Sequence, residues 1–243
     1  KGAYGIVFKA FKTQAEETFA AKVSLLSFYE RVSYPNKNMD FIIRSIEREI
    51  TFHSNYSNSS LHQLVVEFYG YNPFDFNEKP RPTMMLKFMP NESLQSIIDK
   101  LKSGQEVKGW NNTKRLINIY GVAFFMSKMH NDKIIHRDLR AENILLDDKF
   151  YPKLTDFGLS VYDKDANETE EKRKPVGSAE YIAPEAWSKI DFSEASDVYA
   201  FSILLFKLMT LGEPFQNMRD SMIICQICFR QKHPEIKTQI PDC

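Results

Sequence analysis

Two aspartates and an asparagine lie where the neighbouring residues are apolar, and that conflict constrains this chain more than any other feature. The run Ile134-Ile135-His136-Arg137-Asp138-Leu139-Arg140-Ala141-Glu142-Asn143-Ile144-Leu145-Leu146 is followed shortly by Lys153-Leu154-Thr155-Asp156-Phe157-Gly158. Both are polar clusters set into strand-like surroundings. Burying Asp138, Asn143 and Asp156 beside Ile and Leu is costly unless they hold a cation or a reacting group. The fold has to bring these strands together and still keep the three side chains at a working site.

A chain of 243 residues, 43% hydrophobic and 26% charged, has room for one large domain or for two lobes sharing a cleft. Lys plus Arg equals Asp plus Glu at 32 each, so no global charge points to nucleic acid or to an anionic membrane. The three cysteines, Cys225, Cys228 and Cys243, are too few for a disulfide scaffold and fit a reducing cytosol or nucleus. Cys225 and Cys228 form a C-x-x-C that reads as two thiols one turn apart in a packed helix, or else as a redox or metal pair without the further ligands of a zinc site. The longest apolar stretch, Val198 to Leu211, carries Lys207 and is too short to cross a bilayer. Lys1 opens directly into a glycine-rich strand, with no visible signal peptide.

Along the chain, Gly5 to Ala10 and Thr18 to Val23 have the composition of paired strands joined by a polar turn. Phe41, Ile42, Ile46, Ile50 and Phe52 recur at helical spacing between Met39 and His53, and the Asn/Ser-rich run Asn55 to Ser60 reads as a loop. Leu64 to Tyr71 and Thr83 to Met89 are two more strand-like runs, separated by an exposed turn bearing Pro73, Pro80 and Pro82. Helical patterns dominate from Asn91 onward. Leu94, Ile97, Ile98 and Leu101 form one predicted buried stripe, and Leu116, Ile119, Tyr120, Ala123 and Met126 form another. The division predicted is 1–88 against 89–243.

Taken with what precedes them, H-R-D-L-x-x-x-N and D-F-G resemble the catalytic and metal-binding loops of the eukaryotic protein kinases, the family that serves as a general template for phosphoryl transfer. The resemblance continues in order through nearly the whole chain. Gly2-Ala3-Tyr4-Gly5-Ile6-Val7 is similar to G-x-x-G-x-V, Phe19-Ala20-Ala21-Lys22 to V-A-I-K, and Gly177 to Glu185 reads G-S-A-E-Y-I-A-P-E. Ser196 to Ser202 resembles the start of that family's central buried helix, where Asp197 would bond the catalytic-loop backbone. The implied fold is α+β and bilobal: a small antiparallel sheet with one large helix, then a larger, mainly helical lobe, clipped at both ends of this chain. The arginine that the family pairs with Glu185 would lie beyond Cys243.

The same resemblance assigns roles. Gly2 and Gly5 would let the backbone close over phosphates, Lys22 would neutralise the α and β phosphates of ATP, and Glu49 would hold that lysine. Asn143 and Asp156 would offer Mg²⁺ the hard oxygen ligands it prefers. Asp138 would accept the proton of a substrate hydroxyl and Arg140 would steady the phosphoryl group. Adenine would lie among Val7, Ala20 and Leu145, bonded to the backbone near Lys87 to Met89, with Leu86 behind. Read singly, each has a plainer alternative: Lys22 as a solvated strand lysine, Glu47 in place of Glu49, His136 as a core histidine that supports the loop. Co-occurrence in the right order favours the catalytic set.

Arg140-Ala141 is reminiscent of some tyrosine kinases, whereas Gly177-Ser178-Ala179-Glu180-Tyr181 resembles the serine/threonine pattern, with Ser178 placed to bond Asp138. Serine/threonine specificity of the tyrosine-kinase-like group is the reading favoured. Arg137 beside Asp138 points to control by an anion on the activation segment: Thr169 phosphorylated by an upstream kinase, or one of its flanking glutamates, against a merely solvated charged loop. His53 replaces an apolar residue that would stack towards Phe157, which predicts looser packing there. A pseudokinase scaffold and a small-molecule phosphotransferase are the alternatives, the second disfavoured by Ala183-Pro184-Glu185.

Overall fold

In the computed structural model the residues described are 5–11, 17–24, 37–56, 61–162, 177–188 and 192–236; the expectations for Gly2 and Thr169 fall outside them. The chain divides into two compact units, Lys1–Pro90 with Lys153–Leu159, and Asn91–Pro152 with Ser160–Cys243. A single cut near residue 88 does not describe this division, because the segment carrying Asp156 packs with the first unit.

In the first unit, aromatic and β-branched residues form four antiparallel strands: β1 (Gly5–Phe11), β2 (Thr18–Ser24), β3 (Phe68–Asn72) and β4 (Thr83–Lys87), in the order β1-β2-β4-β3. The register places Val7 opposite Lys22, and Ala20 opposite both Lys9 and Leu86. Gly5 is needed at the strand's start, since a Cβ there would meet the Val23 carbonyl oxygen at 2.9 Å. The run predicted as one strand from Leu64 is two pieces. Val65 bridges in parallel to Leu154, and β3 pairs with β4 from Phe68 onward, with a shift of register between Phe68 and Gly70.

The helix α1 (Lys37–Tyr56) runs past the predicted loop start at Asn55. Its buried face carries Ile43, Ile46, Phe52 and Tyr56, and also Ser45, Glu49 and His53, while Glu47 is exposed. Three polar residues on the packed face of a helix are uneconomical for packing alone. Phe157, fully buried, stacks on Phe52 with ring centroids 3.8 Å apart, and Phe52 stacks on Tyr56 at 4.2 Å. A phenylalanine so buried contributes about 1.5–3 kcal/mol. The looser packing predicted around His53 is therefore corrected. Its ring is 1% exposed, edge-on to Phe157 at 5.3 Å and stacked on Phe68 at 5.6 Å, and Phe52 occupies the face of Phe157.

In the second unit, α2 (Leu94–Lys102) starts where the Ser93 hydroxyl accepts from the Ser96 amide at 3.2 Å, and buries Leu94, Ile97 and Ile98. The helix α3 (Asn112–Asn131) is capped by Asn111, which accepts from the Lys114 amide at 2.9 Å. Its buried face is Asn118, Gly121, Val122, Phe125, Met126 and Met129. Of the predicted stripe, Met126 is buried and Ile119 and Ala123 are half-buried, but Leu116 and Tyr120 are exposed, at 44% and 72%. The helix is apolar nearly all round, so periodicity does not choose a side. Asn118 could enter the core because its amide donates to the Lys114 and Phe150 carbonyls at 2.8 and 2.9 Å.

Four short strands, β5 (Ile134–Ile135), β6 (Ile144–Leu146), β7 (Pro152–Leu154) and β8 (Val161–Tyr162), frame the polar clusters, with β5 paired to β8. The helix α4 (Pro184–Ser188) leads to α5 (Glu194–Thr210), which opens on a Ser193/Ser196 capping box and ends with Leu211 at φ 54°. Its residues Ile203, Leu204 and Leu208 join the core. After α6 (Asp220–Ile224) comes a π turn, Cys225–Phe229. Cys225 is exposed and Cys228 half-buried, both free thiols, and among the described residues no group of three or more His, Cys, Asp or Glu could hold a metal. Among the same residues no helix is long and apolar enough to cross a membrane.

Candidate active site

β2 presents Lys22 towards the packed face of α1. The Lys22 ammonium lies 2.6 and 2.7 Å from the two Glu49 oxygens and 3.1 Å from Asp156 Oδ1. Glu49, not Glu47, is the partner of Lys22. Burial alone would lower the lysine's pKa, but Glu49 and Asp156 more than offset it and hold the ammonium above its ordinary value. Burial pushes the Glu49 carboxyl up to about 7, against the pull of Lys22. Asp156 has φ 65°, a left-handed conformation that costs about 1–3 kcal/mol in a residue of this type, and its side chain is one-third exposed. Two residues on, a Cβ at Gly158 would sit 2.2 Å from Ser45 Oγ and 3.1 Å from the Ser45 carbonyl oxygen, so a larger residue there must displace the Ser45 side chain on α1.

In the second unit the loop between β5 and β6 is organised by Asp197 of α5, which is buried. Its Oδ2 accepts from the His136 amide at 2.7 Å and lies 3.0 Å from His130 Nε2, and its Oδ1 accepts from the Arg137 amide at 2.9 Å. His136 is buried and its Nδ1 accepts from the Asp138 amide at 3.3 Å, the packed supporting position expected of it. Asn143 donates its amide to the Asp138 carbonyl at 2.9 Å and to Asp138 Oδ2 at 2.8 Å. Its side-chain carbonyl oxygen is not used in those bonds, and a hard cation would find there an oxygen donor of the kind Mg²⁺ takes. In the first unit, Asp156 offers a partly exposed carboxylate. Each oxygen donor taken by itself suits a hard cation, and among the described residues no group of three or more His, Cys, Asp or Glu could hold one.

Other predicted residues stand as follows. Arg140 makes a two-pronged bond to Glu142, at 2.9 and 2.6 Å, and this bond raises its pKa. Arg137 has φ 68° and its guanidinium lies 4.3 Å from the Phe192 ring centroid. Among the described residues no hydrogen bond joins Ser178 to Asp138; what that segment brings to the aspartate is backbone, for a Cβ on Gly177 would lie 3.4 Å from Asp138 Oδ1. Val7 is 56% exposed, Ala20 and Leu145 are half-buried, and Leu86 and Met89 are buried. The Lys87 amide donates to the Glu67 carbonyl at 2.9 Å, and its ammonium pairs with the exposed Glu67 carboxylate at 3.2 Å.

Sequence reasoning missed Glu142, His130 and the partners of Lys207. The proximity of Glu142 to Arg140 was the available signal for the first; nothing in spacing identifies the others.

Over residues 1–242 the sequence matches the family described as the protein kinase domain. The chain is 29% identical over 197 residues to human receptor-interacting serine/threonine-protein kinase 3, covering 79% of this chain and 36% of that protein. It is 30% identical over 177 residues to the serine/threonine-protein kinase CTR1 of Arabidopsis thaliana, 72% of this chain and 20% of the relative. A G-type lectin S-receptor-like serine/threonine-protein kinase of the same plant is 38% identical over 131 residues, 52% of this chain and 16% of its own. The chain thus spans about a third or less of these relatives. The ordered motifs, the Lys22–Glu49 pair and the match along the sequence give one conclusion: this chain belongs to the protein kinase domain family.

Proposed function

We propose that this chain transfers the γ-phosphoryl group of Mg-ATP to serine or threonine hydroxyls of protein substrates. The observation that carries the reading is the buried ammonium of Lys22 between Glu49 and Asp156, a fixed cation of the kind that phosphate charge requires. Mg²⁺, taken by Asp156 and Asn143, would neutralise phosphate charge. Asp138, fixed by Asn143, is the base that takes the hydroxyl proton. Arg140 steadies the moving group, Gly2 and Gly5 cover the phosphates, and the adenine lies against Val7, Ala20 and Leu145 with its polar edge on the backbone near Met89. An anion on the segment that carries Thr169 serves Arg137. The whole domain works in a reducing cytosol.

The test is incorporation of radiolabelled phosphate from Mg-ATP into a mixed protein substrate, comparing wild type with Asp138→Ala, then hydrolysis of the product to phosphoamino acids. Phosphoserine or phosphothreonine from wild type alone supports the reading. Phosphotyrosine would move the specificity, and nucleotide binding without any transfer would make the chain a scaffold.

A further inference from the structure

Lys207, which interrupts the apolar run of α5, is 4% exposed. Its ammonium lies 3.2 Å from Glu180 Oε1 and 3.1 Å from Glu213 Oε2, and Glu213 reaches on to Lys102 at 3.0 Å. The ring of Tyr181 lies beside it, 5.7 Å from Nζ to the centroid. A buried ammonium is tolerated only when paired, so the two glutamates and Lys207 form one unit. Nothing in the phosphoryl-transfer reading uses it.

Above these groups is a cleft of ≈470 Å³ lined by Lys102, Ser178, Glu180, Glu213, Phe215 and Asp220, among others. The segment that forms one wall runs past the proposed base, with Gly177 against Asp138. A peptide whose hydroxyl reaches Asp138 therefore has its neighbouring residues within reach of the cleft. Three carboxylates face it, those of Glu180, Glu213 and Asp220, against the single ammonium of Lys102. Without a further cation the cleft would attract arginine and lysine.

We propose that Lys207 is a positioning residue that sets substrate selectivity: by engaging Glu180 and Glu213 from within the core, it withholds both carboxylates from basic side chains and leaves the cleft to peptides with uncharged residues beside the acceptor hydroxyl. The inference rests on the protein-kinase reading. It also accounts for the position of Glu180, whose carboxyl burial pushes up and Lys207 pulls down.

The experiment measures kcat/KM with Mg-ATP on a peptide library in which positions flanking the acceptor hold Ala, Arg or Glu, at about pH 8, where exposed carboxylates are ionised. Wild type is expected to show no preference for Arg over Ala. In Lys207→Met the Arg-to-Ala ratio rises about threefold to tenfold, the size of one uncompensated charge near a surface, and Lys207→Arg returns it to the wild-type value. An active Lys207→Met with the wild-type ratio, or a wild type that already favours Arg, overturns the proposal. If Lys207→Met has no cooperative melting transition, Glu180→Gln decides. It removes one of the three carboxylates and leaves those of Glu213 and Asp220 balanced by the ammoniums of Lys102 and Lys207, so acceptance of Glu-bearing peptides must rise, and an unchanged Glu-to-Ala ratio overturns the proposal. A wild type that phosphorylates no peptide, and no protein in the transfer assay, removes the kinase reading and this inference with it.

Discussion

Lys22 donates to both carboxylate oxygens of Glu49, at 2.6 and 2.7 Å, across 27 residues of sequence, and a third bond at 3.1 Å ties the same ammonium to Asp156. Strand, helix and the turn that carries Asp156 in the first unit are thereby fixed around one charge.

Replacing that charge separates function from stability by pH. In Lys22→Met, phosphoryl transfer is expected to fall about 10²–10³-fold, the loss typical of one preorganised charge donor. Glu49 then loses its counter-charge and its carboxyl, already near 7, rises further. A carboxyl with a raised folded pKa contributes stability at low pH and loses it as pH climbs through the folded value, so the variant should be more destabilised at pH 8 than at pH 6. Urea melts at both values check this; equal losses at the two would show that Glu49 does not carry the charge.

His53 gives the opposite slope. Burial, with help from Lys22, holds its pKa at about 3 instead of 6.5. A depressed folded pKa contributes stability above the unfolded value and loses it as pH falls towards the folded one, at about 1.4 kcal/mol per pH unit. Wild type should therefore lose about 2 kcal/mol more than His53→Leu between pH 6.5 and 5. Parallel stability curves for the two proteins would contradict the burial of a neutral imidazole.

Asp138 and Asp197 should part company under mutation. Asp138→Ala is expected to cut turnover about 10²–10⁴-fold with little change in melting, as removal of a positioned base does. Asp197→Ala leaves the amides of His136 and Arg137 and the ring of His130 without their acceptor, and should cost about 3–5 kcal/mol together with activity. Thermal melts and transfer assays on both variants compare them directly.

Gly158→Ala tests a steric contact. Its new Cβ meets Ser45 Oγ at 2.2 Å and the Ser45 carbonyl oxygen at 3.1 Å. A loss of about 1–3 kcal/mol is expected, partly recovered in Gly158→Ala with Ser45→Ala. Additive losses in that double-mutant cycle would place the strain elsewhere.

What could be read from the residues was the part with a strong local signature. The aromatic and β-branched composition of Gly5 to Ala10 and Thr18 to Val23 gave strands, and the polar residues inside apolar runs gave Asp138, Asn143 and Asp156. The working face of α3 was illegible because Leu116 and Tyr120 are as apolar as Val122 and Phe125, while Asn118 enters the core on hydrogen bonds that only the fold supplies. His53 looked like a packing defect because a neutral buried imidazole has the sequence signature of a polar one. The partnership of Lys207 with Glu180 and Glu213 joins separate elements, and no period or motif encodes it.

Leu154 bridges Val65, and Phe157 stacks on Phe52, so the first unit borrows a piece of chain synthesised long after Pro90. On the ribosome α1 must therefore wait, with one face of the Phe52 ring uncovered, for several seconds of further elongation before Phe157 emerges. That interval is where a nascent chain of this kind offers its stickiest surface to chaperones, and a fragment ended at Pro90 would keep it for good.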